Sequence, residues 1–287
     1  MPKVLIADKM DKLAEEIFRC NGLDVDIKAG LSPEEIAAII ADYDAVACRS
    51  SAKITKEVLA QAKKLKVIGR AGIGVDTIDV PAATAAGVIV MNTPFGNSIT
   101  TAEHAIAMMM ALARQIPQAS ASTHAGKWEK SKFMGVELYS KTLGLIGAGN
   151  IGSIVANRAI GLGMKVIAYD PFLTKDRAED LGVEQVELDD LYKRADFITI
   201  HVPKTDKTSK MIDAAAIDKM KKGVRIINCA RGGLIVEQDL KEALDSGHVA
   251  GAALDVFEVE PAEHNVLFNH PNVICTPHLG ASTTEAQ

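Results

Sequence analysis

Short apolar runs alternate with helical segments along the first part of the chain. The runs have the length of strands and lie at residues 4–7, 24–28, 45–48, 66–69 and 88–91. Residues that favour helix starts precede the intervening segments, as where Ser32 stands directly before Pro33, Glu34 and Glu35. A capping hydroxyl, a first-turn proline and first-turn acids together predict a helix start. The regular alternation predicts a parallel, doubly wound α/β sheet.

The pattern changes at residues 92–97, where Pro94 and Gly96 interrupt the alternation. We predict a long helix after this break, from about Ile99 to Ala125, with a kink at Pro117. A second series of apolar runs follows, near residues 143–147, 165–170, 196–202, 224–229, 250–255 and 272–275. The chain is therefore predicted to form two α/β domains, with the first boundary between residues 97 and 98.

A glycine-rich turn follows the first strand of the second series. Gly147 permits a tight turn, Gly149 lets the backbone approach a pyrophosphate, and Gly152 lets helix and strand pack closely. The free N–H groups at the start of the next helix would then face the phosphates. The second strand ends in Asp170, where an acid can accept hydrogen bonds from ribose hydroxyls and favours NAD over NADP. The alternative is a tight turn that binds nothing.

Composition and charge narrow the class of protein. A chain of 287 residues with 48% hydrophobic but only 4% aromatic residues fits two α/β domains. The net charge of −5 argues against a nucleic-acid surface, and the apolar run from Ala105 to Ala113 is too short for a membrane span. The four cysteines show no CxxC spacing, which favours reduced thiols in the cytoplasm. His264 and His270 lack further ligands at metal-binding spacing, so no metal site is expected.

Polar side chains follow several predicted strands, where parallel sheets bind their ligands. Arg231 could clamp a carboxylate through two hydrogen bonds and polarise an adjacent carbonyl. His278, if paired with an acid such as Glu260, could exchange a proton with an alcohol or carbonyl oxygen. Each signal is weak alone, because His278 could be a surface histidine, Arg231 a structural ion pair and Glu260 a solvated loop acid.

Four segments in combination resemble the NAD-dependent D-2-hydroxyacid dehydrogenases. They are the glycine turn at 147–152, Asn-Cys-Ala-Arg-Gly-Gly at 228–233, Ala-Leu-Asp-Val-Phe at 253–257 and Pro-His-Leu-Gly-Ala-Ser-Thr at 277–283. The resemblance implies a Rossmann nucleotide-binding domain at 98–278, inserted into a flavodoxin-like substrate-binding domain formed by 1–97 and 279–287. Members of this family continue beyond this point into a further helix, so the sequence ending at Gln287 is expected to be a shortened one.

The resemblance also implies roles for individual residues. His278 would be the proton donor and acceptor, Glu260 the partner that raises its pKa, and Arg231 the ligand of the substrate carboxylate. The residues expected around NAD are Gly147, Gly149, Asn150, Ile151, Gly152, Asp170, Val202, Cys229, Ala230, Arg231, Asp255, His278, Gly280 and Ala281. Those expected around the substrate are Arg49, Ser50, Arg70, Gly72, Ile73 and Gly74. The backbone N–H groups of the loop at 71–75 would face the substrate carboxylate, and Arg49, Ser50 and Arg70 would face a phosphate.

The function implied is the oxidation of a phosphorylated 2-hydroxy acid, 3-phosphoglycerate, to 3-phosphohydroxypyruvate, the first step of serine synthesis. One alternative is another 2-hydroxy acid, through glycerate/hydroxypyruvate or glyoxylate chemistry. A second is an NAD(H)-sensing co-repressor, since such proteins share the fold. The resemblance further implies a homodimer or homotetramer formed through the helix at 98–125 and the segment after it. The net charge and the length of the apolar runs lead us to expect neither nucleic acid nor membrane as a partner.

Overall fold

The chain divides into two compact units in the computed structural model, which describes residues 1–286. The first unit comprises residues 1–97 and the final residues from Thr283 onward, and the second comprises residues 98–282. Gln287, the last residue of the segment expected to return to the first domain, lies outside the described residues. Residues 279–282 belong to the second unit, where Gly280 bonds to Asp255 and to Thr101.

The first unit is built on a five-stranded parallel sheet. Its strands are β1 (Lys3–Ile6), β2 (Asp24–Ile27), β3 (Ala45–Cys48), β4 (Val67–Arg70) and β5 (Ile89–Asn92), in the order β2-β1-β3-β4-β5. Its helices are α1 (Lys12–Cys20), α2 (Pro33–Ile39), α3 (Lys56–Gln61) and α4 (Val80–Ala85). The predicted alternation is confirmed, and Ser32 forms a complete capping box with Glu35.

The second unit is built on a seven-stranded parallel sheet, entered through two helices, α5 (Ser98–Arg114) and α6 (Ile116–His124). Its strands are β6 (Thr142–Ile146), β7 (Lys165–Tyr169), β8 (Glu184–Gln185), β9 (Phe197–Ile200), β10 (Val224–Asn228), β11 (Val249–Leu254) and β12 (Val273–Cys275). Its other helices are α7 (Asn150–Gly161), α8 (Lys175–Leu181), α9 (Leu188–Arg194), α10 (Ala214–Asp218) and α11 (Glu237–Asp245). The order β12-β11-β10-β9-β6-β7-β8 reverses between β9 and β6, which is where such sheets bind nucleotides.

The long helix predicted between residues 99 and 125 differs from the structure at one point. The chain forms two helices rather than one kinked helix, because Gln115 adopts a left-handed conformation with φ of 52°. Its side-chain amide donates to the carbonyl of Met134 at 3.0 Å, which holds the break. Pro117 lies in the first turn of α6, where its missing N–H leaves no hydrogen bond unmade.

The sequence did not predict the edge strand β8, because the strand has only two residues and both are polar and exposed. Within the described residues, no helix combines the length and the hydropathy that crossing a bilayer requires.

Candidate active site

The glycine turn between β6 and α7 leaves room for a ligand at one glycine and none at the others. A Cβ on Gly147, whose φ is 93°, would lie 2.5 Å from the carbonyl oxygen of His201, and a Cβ on Gly152 would collide with the carbonyl of Gly147. A Cβ on Gly149 would meet nothing within 4 Å. Gly149 is also the N-cap of the twelve-residue helix α7 and offers no capping side chain. The turn therefore fits a pyrophosphate at the positive end of the helix.

Asp170, directly after β7, is held against this turn. One carboxylate oxygen accepts the N–H of Ala148 at 2.8 Å and the other accepts the N–H of Phe172 at 2.8 Å. A carboxylate has about four lone-pair sites, so two bonds leave capacity for ribose hydroxyls. The sequence predicted the position of this acid but not that it braces the glycine turn.

His201, one of the strand-end residues, is a structural part of this region. Its ring Nε2 lies 2.9 Å from Thr199 Oγ1, and its backbone packs behind Gly147. Burial lowers the pKa of His201 to about 4, so its ring stays neutral near pH 7. Val202, which follows it, is half-buried at the end of β9.

His278 and Glu260 form a close acid–base pair at the carboxyl ends of β11 and β12. The ring Nδ1 lies 2.7 Å from Glu260 Oε2, while Glu260 Oε1 accepts the N–H of Phe257 at 3.0 Å. The hydrogen bond to Glu260 raises the pKa of His278 and outweighs the opposing effect of burial. Burial alone would raise the pKa of Glu260, but the bonds from His278 and Phe257 lower it overall. With Nδ1 engaged, Nε2 is the nitrogen left to exchange a proton with a ligand.

Arg231 lies on the turn after β10, next to the segment that carries Glu260. Its guanidinium donates to the carbonyl of Ala230 at 2.7 Å, and its own carbonyl accepts the amide of buried Asn228 at 2.9 Å. A Cβ on Gly232 would collide with the carbonyl of Phe257, so glycine is required where the two segments meet. The positive charge of Arg231 is near enough to oppose the rise in the pKa of His278. The structure thus brings Arg231, Glu260 and His278 to one end of the sheet.

Asp255, at the end of β11, is fully buried and organises the segment that carries His278. Its Oδ1 accepts the N–H of Leu279 at 2.7 Å and its Oδ2 accepts the N–H of Gly280 at 2.8 Å. Thr276 donates its hydroxyl to Oδ1 at 2.6 Å, and His104 Nε2 lies 3.2 Å from the same oxygen. Burial would raise the pKa of Asp255, but these donors lower it overall, so the carboxylate stays ionised.

The residues predicted around the substrate lie in the first unit. Arg49 and Ser50 follow β3, and Arg70 ends β4 with its Nε donating to the carbonyl of Arg49 at 3.0 Å. The loop from 71 to 75 differs in part from the expectation that its N–H groups face the substrate. Ala71 donates to the carbonyl of Cys48 at 2.9 Å and Gly72 to Thr93 Oγ1 at 2.8 Å, so these two N–H groups are used inside the unit. Only the N–H groups of residues 73–75 are then still expected to face the substrate carboxylate.

Sequence reasoning missed two residues that hold the site segments. Asp8 lies two residues after the end of β1 and is 3% exposed, and its carboxylate accepts the N–H groups of Arg49 and Ala52. The rule that informative residues follow parallel strands could have found it. His104 is the second, and nothing local along α5 indicates its contact with Asp255, which is 151 residues away in sequence. Among the described residues, no group of three or more candidate ligands could hold a metal ion.

Comparison with known proteins identifies a family for this arrangement. The model of the D-isomer specific 2-hydroxyacid dehydrogenase NAD binding domain matches residues 106–280. D-3-phosphoglycerate dehydrogenase of Synechocystis sp. is 52% identical over 287 residues, which are 100% of this chain and 52% of that protein. The chain spans about half the length of the curated relatives it matches.

Two solved structures extend the comparison. A glyoxylate reductase from Paecilomyes thermophila matches with a TM-score of 0.92 and 32% identity, covering 100% of this chain and 90% of that chain. D-lactate dehydrogenase from Aquifex aeolicus, complexed with NAD and lactic acid, matches with a TM-score of 0.87 and 29% identity, covering 99% and 90%. The fold predicted from the sequence, two parallel-sheet α/β domains, is confirmed by these similarities and by the two sheets.

Proposed function

The chain belongs to the D-isomer specific 2-hydroxyacid dehydrogenase family, and from this premise we propose that it oxidises 3-phosphoglycerate to 3-phosphohydroxypyruvate with NAD. The single observation that carries the proposal is the 2.7 Å contact between His278 and Glu260 on the same sheet as the glycine turn. The substrate is the one named for the curated relatives that are about half identical to this chain. On this proposal, the first unit supplies the ligands of the substrate phosphate, and the second unit binds the cofactor and supplies His278, Glu260 and Arg231.

His278 acts as the base in the oxidation. Its Nε2 accepts the proton of the substrate hydroxyl, and Glu260 stabilises the resulting imidazolium through Nδ1. When bound, NAD supplies the acceptor for the hydride that leaves C2 of the substrate. In the reverse direction, the imidazolium returns its proton to the carbonyl oxygen. A positioned acid–base group of this kind contributes about 10²–10⁴ in rate.

Arg231 binds the substrate carboxylate and the oxygen on C2. A guanidinium offers two parallel N–H donors, which match a carboxylate and polarise a neighbouring carbonyl. The turn that carries Arg231 is fixed by Asn228, whose Oδ1 accepts the N–H of Ala230 at 3.0 Å. This support limits the freedom of a long side chain at the point where it must meet the ligand.

The space at the glycine turn indicates which residues would bind the cofactor. Gly149 and the first turn of α7 receive the pyrophosphate, and Asp170 receives the ribose hydroxyls. The residues that follow β9, β10, β11 and β12 would hold the nicotinamide end, namely Val202, Cys229, Ala230, Asp255, Gly280 and Ala281. Burial raises the pKa of the Cys229 thiol, so the thiol stays protonated and serves as an uncharged packing group rather than as a nucleophile.

Arg49 and Arg70 in the first unit bind the substrate phosphate. The side chain of Arg70 is tied to the backbone of Arg49, because its Nε donates to the Arg49 carbonyl at 3.0 Å. Two guanidiniums near a dianion form strong charge-assisted hydrogen bonds. Ser50 and the N–H groups of residues 73–75 would complete the polar contacts.

A second candidate is a 2-hydroxy acid without a phosphate. The similarity to a glyoxylate reductase, which is 32% identical and covers the whole chain, favours it. On this alternative, Arg49 and Arg70 would have no part in substrate recognition.

A panel of acids tests the proposal. NADH absorbance is followed with NAD and D-3-phosphoglycerate, D-glycerate, D-lactate or glycolate, with L-lactate as the stereochemical control. We expect D-3-phosphoglycerate to give the highest kcat/KM. A preference for glycerate or glycolate would favour the second candidate, and an absence of turnover with every acid would reject both.

We also infer that the chain self-associates through an apolar surface of the second unit. Trp128, Met134 and Tyr139 are 88%, 79% and 71% exposed, and with Met110 and Phe133 they line one groove. Large exposed apolar patches mark interaction sites. Sedimentation of the full chain should give a dimer or tetramer, and Trp128→Glu should give a monomer. A wild-type monomer at micromolar concentration would contradict the inference.

A further inference from the structure

One face of α5 supports the segment that carries His278. Thr101, His104 and Met108 lie three and four residues apart and so project from the same side of the helix. Thr101 Oγ1 donates to the carbonyl of Gly280 at 2.9 Å. His104 Nε2 lies 3.3 Å from Thr276 Oγ1, and this hydroxyl lies 3.9 Å from the sulfur of Met108. The helix therefore contacts the segment on both sides of His278.

The contact of His104 with Asp255 is the central one. Asp255 is 0% exposed, so its charge depends on donors from the protein. Thr276, Leu279 and Gly280 supply three donors, all from the segment that Asp255 holds. His104 approaches Asp255 from outside that segment, with Nε2 3.2 Å from Oδ1, so a proton on Nε2 would be donated to the carboxylate. It thus ties the whole arrangement to α5.

This segment needs such support because its backbone is unusual. His278 has a φ of 54°, in the left-handed region that residues other than glycine rarely adopt. Its N–H donates to the carbonyl of Asp255 at 2.8 Å. A strained conformation persists only where its surroundings hold it, and this strained residue carries the ring that meets Glu260.

We propose that His104 is a positioning residue, which holds Asp255 and thereby keeps the ring of His278 in contact with Glu260. The inference rests on the proposed function, in which His278 exchanges the proton. His104 itself does not touch the reacting atoms.

The pKa of His278 reports this positioning directly. The charged groups that act on its ring are Glu260 and Asp255, which raise the pKa, and Arg231, which lowers it. The hydrogen bond to Glu260 is the largest of these influences. If the ring leaves Glu260, the pKa must fall toward the ordinary value of about 6.5.

The test measures this pKa by NMR titration of histidine ring resonances in the full chain, with the His278 signal assigned by its loss in His278→Gln. His104→Phe keeps a ring in the core but removes the donor, whereas His104→Gln keeps a donor amide. His264→Phe, at an exposed histidine of the same unit, is the matched control. We expect the pKa of His278 to fall by about half a unit or more in His104→Phe, and to stay near wild type in the other two.

Turnover adds a second readout. We expect kcat to fall about tenfold in His104→Phe, since a misplacement of about 1 Å can cost 10²-fold, and to recover at least partly in His104→Gln. Equal effects of the Phe and Gln variants, or an unmoved pKa of His278 in a folded His104→Phe, would overturn the proposal. If His104→Phe does not fold, His104→Leu takes its place with the same two outcomes.

The two readouts separate this inference from the proposed function. The NMR titration needs no substrate, so it decides the role of His104 even if no hydroxy acid is turned over. Wild-type inactivity with every acid would reject the proposed function alone.

Discussion

Two buried carboxylates hold the two candidate site segments, and they do so differently. Asp8 holds the turn with Arg49 in the first unit, and Asp255 holds the segment with His278 in the second. Asp8 Oδ2 accepts the N–H groups of both Arg49 and Ala52, at 2.6 and 3.1 Å, and the Ala52 N–H is shared with Oδ1 at 3.2 Å, so neither donor depends on Oδ1 alone. Asp255 needs both oxygens, since Gly280 bonds to Oδ2 and the other donors bond to Oδ1.

The difference matches what each segment would have to do in the proposed function. A guanidinium on a long side chain can reach a phosphate from a range of backbone positions. An imidazole that exchanges a proton needs its ring within a narrow range of distance and angle. The segment with His278 also has a left-handed non-glycine residue, which the turn with Arg49 lacks. More constraint is therefore found where the chemistry tolerates less movement.

The largest expected effect is at His278. In His278→Ala, turnover should fall by about 10²–10⁴ while NAD binding is retained, because the variant loses the proton acceptor but not the glycine turn. Steady-state kinetics and NAD titration by calorimetry measure the two quantities. Near-normal turnover would show that His278 takes no part in the reaction. The tighter hold of Asp255 on its segment would then have no catalytic explanation.

The next largest effect is a difference in stability between asparagine substitutions at Asp255 and at Asp8. An asparagine at position 255 must break at least one bond, since its amide nitrogen cannot accept, whereas an asparagine at position 8 can keep both N–H groups on its single oxygen. Asp255→Asn should therefore lower the free energy of unfolding by about 1–3 kcal/mol, and Asp8→Asn by less than about 1 kcal/mol. Urea unfolding followed by circular dichroism, and by the fluorescence of Trp128 for the second unit, provides the comparison. Equal losses would show that the distribution of donors over the two oxygens is unimportant.

A substitution at Arg49 tests the turn after β3, where the proposed chemistry tolerates more movement. Arg49→Ala should raise KM for 3-phosphoglycerate about tenfold, because one charge-assisted bond to the phosphate is lost, with little change for D-glycerate. Lys53→Ala, an exposed lysine of the same unit, is the matched control for lost positive charge. The same change in KM for both acids would argue against a phosphate contact.

The smallest effect is a shift in pH dependence. Oxidation needs neutral His278, so kcat/KM should rise with pH through the pKa of His278, which the bond to Glu260 raises. Glu260→Gln removes this main cause, and the rise should therefore occur at lower pH, shifted by up to about one unit toward 6.5. The profile between pH 5 and 9 measures the shift. A rise that moves to higher pH would mean that Glu260 does not raise the pKa of His278.

Local patterns in the sequence predicted most of the fold. Apolar runs of four to seven residues separated by capped helices led to both sheets, and Ser32 caps α2 as expected. The errors lie where the local signal is short or ambiguous. The two-residue strand β8 has no apolar run, and the break between α5 and α6 depends on a bond from Gln115 to Met134.

The sequence by itself determined the alternation of strand and helix, the glycine turn and the set of polar residues that follow the strands. These follow from chain-local physics: side-chain periodicity, backbone freedom and capping. Only the tertiary structure decided which carboxylate holds which segment, that Gly72 donates to Thr93, and that His104 reaches Asp255. Such hydrogen bonds join residues far apart in the sequence, and their partners are chosen by how the packed elements meet, which no local pattern encodes.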